Sequence, residues 1–228
     1  MRAAAGQQVG ALWQRGQPWV VLAAGLLLAT VGLLLFAVIA TQLPEPSTRV
    51  AEQVVLGAVR PLRQPALTRV MVGLSALGSP WVLLILAGLA AVPRLVRGDR
   101  LAALLLLVVL AGGGLLNLLL KVLFQRPRPV APEVTAAGYA FPSGHAMLAL
   151  CFYGFLAYLA ARSPWPAWLR AVAAAACVLL ALAVGFSRVY LGVHWPSDVA
   201  AGFVAGAAWL GACIAADEWA RHHAGRRR

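Results

Sequence analysis

Six stretches of this chain are apolar over roughly twenty residues each, and that repetition limits its fold more than any single motif does. No water reaches the backbone inside a bilayer, so a crossing segment must satisfy its own amide and carbonyl groups, which a helix of about 20 residues does. The stretches run from about Pro18 to Leu43, Arg69 to Val92, Leu101 to Phe124, Ser143 to Ala161, Ala167 to Phe186 and Ser197 to Ala216. With 62% apolar and 11% charged residues there is too little polar surface for a soluble domain. The expected fold class is therefore all-α: a polytopic six-helix transmembrane bundle, one integral-membrane domain over residues 1–228, with residues 217–228 as a basic tail. Gly78-Ser79-Pro80 interrupts the second stretch and Pro93 closes it, which predicts a kinked helix there. The first stretch exceeds the roughly 7 to 15 apolar residues of a signal-peptide core and is expected to be a retained helix.

Orientation follows from the basic residues. Six crossings put both termini on one side, together with Arg2, Arg15, Arg94, Arg97, Arg100, Arg162, Arg170, Arg221, Arg226, Arg227 and Arg228. The other side holds Arg49, Arg60, Arg63, Arg69, Lys121, Arg126, Arg128 and Arg188. Eleven against eight makes the termini cytoplasmic by the positive-inside rule, in a cell (inner or plasma) membrane. The formal charge of +12 is then explained by anionic headgroups, and without a basic stripe interleaved with aromatics no nucleic-acid partner is expected. Cys151, Cys177 and Cys213 all fall within apolar stretches, where a thiol behaves as a small hydrophobe. Between the first two crossings, Thr48 to Leu67 mixes Val50, Val54, Leu56 and Val59 with Arg49, Glu52, Gln53 and Arg60. That pattern fits either a short amphipathic helix on the membrane surface or a plain connecting loop.

Nearly all the remaining polar chemistry sits in three clusters on the extracytoplasmic side. The first is Lys121, then Arg128-Pro129 seven residues on; snorkelling explains one terminal lysine but not three cations with Arg126 on the disfavoured side. The second, Pro142-Ser143-Gly144-His145, opens the fourth crossing, where free N–H groups make an anion cradle, Ser143 sits at the cap and glycine admits a phosphate oxygen to the backbone. The third is Ser187-Arg188, His194 and Asp198. Asp198 lies four residues after His194 and can reach back to one imidazole nitrogen, so that the other presents its lone pair. Each cluster alone has a bland structural explanation; together they can grip and attack a phosphate.

The clusters resemble the three-part signature of the type 2 phosphatidic acid phosphatase superfamily, matched at Lys121, Arg128, Pro129, Pro142, Ser143, Gly144, His145, Ser187, Arg188, His194 and Asp198. The resemblance implies a helical-bundle membrane phosphatase that works through a phosphohistidine. In it His194 is the nucleophile, Asp198 orients it, and His145 protonates the leaving oxygen and then activates water. Lys121, Arg128, Ser143, Gly144 and Arg188 bind the phosphate. Phosphoryl transfer needs positioning and charge stabilisation above all, and fixed cations supply both. No cofactor and no metal are expected: a two-metal site needs several carboxylates, only Asp198 and Glu133 stand near the clusters in sequence, and three cations would repel a divalent ion. The implied partners are the bilayer and a lipid phosphate: undecaprenyl diphosphate, phosphatidylglycerol phosphate, phosphatidic acid or a lipid A phosphate. A phosphotransferase would use the same residues, and a non-catalytic scaffold would be expected to have lost some of them.

Overall fold

The structure, a computed structural model, describes residues 18–130 and 132–225. Arg2, Arg15, Arg226, Arg227 and Arg228, which weigh in the orientation count, lie outside the described residues. Helices run Pro18–Gln42 (α1), Pro46–Val59 (α2), Pro65–Ala76 (α3), Pro80–Val96 (α4), Arg100–Phe124 (α5), Gly144–Ala161 (α6), Ala167–Tyr190 (α7) and Pro196–Gly225 (α8), with a 3₁₀ turn at Arg60–Leu62. There is no strand among the described residues. Five of these helices are long and apolar enough to cross a membrane, and α3 with α4 makes a sixth crossing if the bent pair counts as one. The protein is thus a multi-pass membrane protein. Side chains such as Leu27 (65% exposed) and Leu123 (73%) form an outward apolar coat that a bilayer solvates.

The expected kink in the second crossing is a full break of 56°. Gly78 and Ser79 close the end of α3 by bonding back to the carbonyls of Ser75 and Ala76, both at 3.0 Å, and Pro80, which has no N–H, opens α4 instead of continuing the ladder. Pro93 does not close the span as expected. It lies inside α4, whose last turn continues to Val96, and the Arg97 N–H bonds its carbonyl at 3.2 Å. Thr48 to Leu67 resolves into α2, the 3₁₀ turn and the start of α3, so the amphipathic helix is realised and not the loop.

Two other boundaries move outward. Helix α7 runs past Phe186 to Tyr190 because Ser187, Arg188, Val189 and Tyr190 are buried against neighbours. Helix α8 runs past Ala216 to Gly225, so the first part of the stretch expected as a tail is helical. Asp217 and Glu218 are buried there, Tyr158 donates its hydroxyl to them at 2.6 and 2.7 Å, and Arg221 pairs with Asp217 one turn back at 2.7 Å.

Small residues set the helix spacing, as they do where backbones must approach within a membrane. Helices α1 and α8 meet at Gly25 and Gly211, where a Cβ on Gly211 would stand 2.5 Å from the Gly25 carbonyl. Helix α8 meets the first turn of α6 through Gly202, where a Cβ would stand 2.6 Å from the Ser143 carbonyl. This second contact brings the two histidine-bearing helix starts together. The rings of Trp19 and His222 lie 5.0 Å apart, so the start of α1 and the end of α8 share one end of the bundle. The three clusters gather at the other.

Candidate active site

Helix ends of opposite sense converge at that far end. Helix α5 carries Lys121 in its last turn and stops at Gln125, whose left-handed backbone (φ 45°) turns the chain into the segment bearing Arg126 and Arg128. Arg128 then organises the following loop, donating to the carbonyls of Ala137 at 2.8 Å and Gly138 at 2.9 Å, and ties it to the connection between α7 and α8 by donating to the Val193 carbonyl at 2.7 Å. Lys121 does the same for the carbonyls of Tyr139 and Ala140. The loop between α7 and α8 supplies His194, and Pro196 starts α8 with Asp198 in its first turn.

One cavity of about 710 Å³ is lined by Lys121, Arg128, Gly144, His145, Arg188 and His194. These are three cations, both cluster histidines and the cradle glycine, drawn from all three sequence clusters. Away from that polar end the cavity continues along Pro80, Leu84, Leu110, Leu118 and Leu148 of α4, α5 and α6, a wall suited to an aliphatic chain.

Asp198 stands behind His194 and is fully buried. Its Oδ2 accepts the Trp195 N–H at 2.9 Å and lies 3.4 Å from His194 Nδ1. On the opposite side of the imidazole, Arg128 Nη1 is 3.2 Å from Nε2. Guanidinium can only donate, so Nε2 carries the lone pair and the ring proton sits on Nδ1 facing Asp198. Burial pushes the His194 pKa down to about 4, helped by the charges of Arg128 and Arg188 and opposed by the hydrogen bond and charge of Asp198. The imidazole is therefore neutral at neutral pH with its lone pair toward the cavity. Burial also lowers the pKa of Arg128, against the charge of Asp198.

The other expected residues differ in how they are held. Arg188 is buried and gives Nη1 to Ser75, while its Nε is buried without a partner. An unpaired buried donor costs about 1 to 3 kcal/mol, and one beside this cavity is a donor poised for an anion. Ser143 is the N-cap of α6 by backbone geometry, but its hydroxyl makes no cap bond, is buried without a partner and does not line the cavity. The Ser143 N–H bonds the Asp198 carbonyl at 2.9 Å, so the residue's visible work is to join the starts of α6 and α8. Ser187 donates to Val184 of its own helix at 2.6 Å and takes no part in the cavity.

Asn117, Ser75 and Glu52 take site roles that no sequence motif announces, and Arg126, legible in the sequence only as a cation on the disfavoured side, serves Asp198. Asn117, one turn before Lys121 and so on the same face of α5, lines the cavity and donates to the Pro142 carbonyl at 3.2 Å. Ser75 holds Arg188 from α3, with no sequence signal at all. Arg126 binds Asp198 Oδ1 and Glu52, each at 2.6 Å. Glu52 is thus a third carboxylate beside the clusters, while Glu133 pairs with Arg63 at 3.2 Å and is not part of the cavity lining.

The chain is similar to proteins of known family and to solved structures. The PAP2 superfamily pattern matches residues 102–221. Phosphatidylglycerophosphatase B of Bacillus subtilis is 35% identical over 175 residues, 76% of this chain and 86% of the relative. An undecaprenyl-diphosphatase of Sulfolobus acidocaldarius is 36% identical over 78 residues, 34% of this chain and 33% of the relative. The crystal structure of a transmembrane PAP2 type phosphatidylglycerolphosphate phosphatase from Bacillus subtilis matches with a TM-score of 0.80 at 33% identity, covering 83% of this chain and 96% of that one. Aquifex aeolicus LpxE, at 22% identity and a TM-score of 0.57 over 71% of this chain and 93% of its own, shares the fold.

Proposed function

Since the chain belongs to the PAP2 superfamily and is a membrane lipid phosphatase, we propose that it removes the terminal phosphate of phosphatidylglycerol phosphate through a phosphohistidine, without a metal. The observation that carries this reading is the single cavity in which Lys121, Arg128 and Arg188 face both histidines at one end and an apolar wall begins at the other. Similarity to a phosphatidylglycerophosphatase over most of the chain supports that substrate; undecaprenyl diphosphate is the second reading, favoured by the shorter match to an undecaprenyl-diphosphatase.

In the proposed reaction the cations hold the phosphoryl oxygens, joined by the N–H groups at Gly144 and the free Nε of Arg188. Arg128 moves from Nε2 to the phosphate, releasing the lone pair. His194 Nε2 then forms a bond to phosphorus as the bond to the lipid oxygen breaks, and His145 gives that oxygen its proton. In the second half His145 takes a proton from water, whose oxygen displaces Nε2 and frees inorganic phosphate. Asp198 offsets the charge on the imidazolium while the N–P bond exists. A hydroxylated acceptor in place of water would give the phosphotransferase variant. Ser143 is proposed as a phosphate ligand only if its hydroxyl turns toward the cavity on binding.

Metal independence is supported by how the carboxylates are committed. Asp198 has both oxygens on protein donors, and Glu52 is held by Arg126 and Ser197. No group of three or more His, Cys, Asp and Glu able to hold a metal ion occurs among the described residues. We further propose that the site faces the extracytoplasmic side and the termini the cytoplasm. Phosphate release by purified protein from a panel of lipid phosphates tests the reading. Activity on phosphatidylglycerol phosphate, unchanged by EDTA and inhibited competitively by vanadate, is expected; activity lost on chelation and restored by a divalent ion would overturn it.

A further inference from the structure

We propose that Arg126 and Glu52 are positioning residues for catalysis, so that the nucleophile is oriented by a chain running Glu52, Arg126, Asp198, His194 and not by a histidine and aspartate alone. The proposal rests on the reading of His194 as nucleophile and Asp198 as its orienter.

Asp198 has no exposed surface, and a carboxylate taken out of water holds its charge only when paired and hydrogen-bonded. The cations lining the cavity, Lys121, Arg128 and Arg188, face the space where a phosphate binds. Arg126 is outside that lining. It approaches Asp198 from behind, Nη1 to Oδ1 at 2.6 Å, and its other flank faces a separate cavity of about 540 Å³. Arg126 is itself held on three sides. Nη2 meets Glu52 at 2.6 Å, Nη1 also donates to Ser197 Oγ at 2.7 Å, and the Trp195 ring lies 5.6 Å from the guanidinium. Ser197 closes the ring by donating to Glu52. Glu52 is buried although it comes from the surface helix α2.

The geometry explains why the clamp matters. At 3.4 Å the contact from His194 to Asp198 is too long to fix the carboxylate by itself. With Oδ1 anchored on Arg126, the carboxylate cannot rotate about its own bond, and Oδ2 stays directed at Nδ1. Loss of Arg126 leaves Oδ1 buried and unpaired, and the carboxylate is then held only through Oδ2 by the Trp195 N–H at 2.9 Å, a single bond about which it can turn from the imidazole. The tautomer that exposes Nε2 would no longer be enforced.

Steady-state kinetics on the lipid phosphate turned over fastest in the panel, with full-length protein, provides the test. Arg126→Met should lower kcat by about 10- to 100-fold with KM within about twofold, the scale on which losing a hydrogen-bond partner that orients a metal-bound histidine lowers activity. Arg126→Lys should recover part of the loss. Glu52→Gln should lower kcat by less, about three- to tenfold. In an Asp198→Asn background each change should add nothing, because its route to the reaction is already cut. Wild-type kcat in Arg126→Met, a raised KM at constant kcat, or an equal loss in the Asp198→Asn background would overturn the proposal. If Arg126→Met fails to fold, Arg126→Lys and Glu52→Gln carry the same cycle. Absence of phosphate release by wild type, or full activity in His194→Ala, would instead remove the phosphatase reading on which this rests.

Discussion

Single residues make the sharpest claims. His194→Ala should abolish turnover while leaving the thermal melting of the detergent-solubilised protein near that of wild type; activity within tenfold of wild type would rule out His194 as the nucleophile. The lowered pKa has a definite sign. Proton binding is delayed to lower pH, so the ring stays neutral through the range near 6.5 where a free imidazole titrates, and charges only near pH 4. Nitrogen NMR of labelled histidine, assigned by comparison with His194→Ala, should show that titration; a midpoint near 6.5 would mean a solvated ring. Asp198→Asn should lower kcat by about 10³ to 10⁴ with KM little changed, as when other paired histidines lose their carboxylate. The residues that sequence could reveal are those whose chemistry is unusual for their place, such as cations at a helix end on the disfavoured side and histidines at helix starts. Ser75 and Glu52 could not be found that way. Each is an ordinary polar residue on its own segment and acquires meaning only by standing beside Arg188 or Arg126, more than seventy positions away.

Elements were readable where composition alone dictates them. Apolar length gives the crossings, and the Gly78-Ser79-Pro80 run marks the break between α3 and α4. Their ends were less so, because burial decides them: α7 runs on through the packed Ser187 to Tyr190, and α8 runs on because Tyr158 and Arg221 hold Asp217. Nor does sequence announce which glycines carry contacts. Gly202 sits where α8 touches the first turn of α6, and a side chain there meets the Ser143 carbonyl. Gly202→Val should therefore push the two helix starts apart, costing about 1 to 3 kcal/mol by overpacking and lowering activity well beyond its effect on folding. Thermal melting together with kcat measures both. A variant with wild-type melting and wild-type kcat would show that the close approach does not set the site.

At the scale of the whole molecule, the two described chain ends share one end of the bundle and the three polar clusters the other. If the arginine count assigns the sides correctly, a cysteine at Glu133 should label in intact cells with a membrane-impermeant thiol reagent. A cysteine at Gly225 should label only after the membrane is opened. Cys151, Cys177 and Cys213 would first be replaced by alanine. The reverse pattern would direct the enzyme to the cytoplasmic leaflet. Which lipid headgroup enters depends on the shape of the cavity formed by four helices, a property that no local motif encodes. The most direct test of the central claim is to trap the covalent intermediate. Protein mixed with a lipid substrate radiolabelled in its terminal phosphate, quenched within milliseconds in the presence of EDTA, should carry label that survives alkali, is lost in acid and is absent from His194→Ala. An unlabelled wild type that still releases phosphate, or a His194→Ala protein that retains the label, would contradict it.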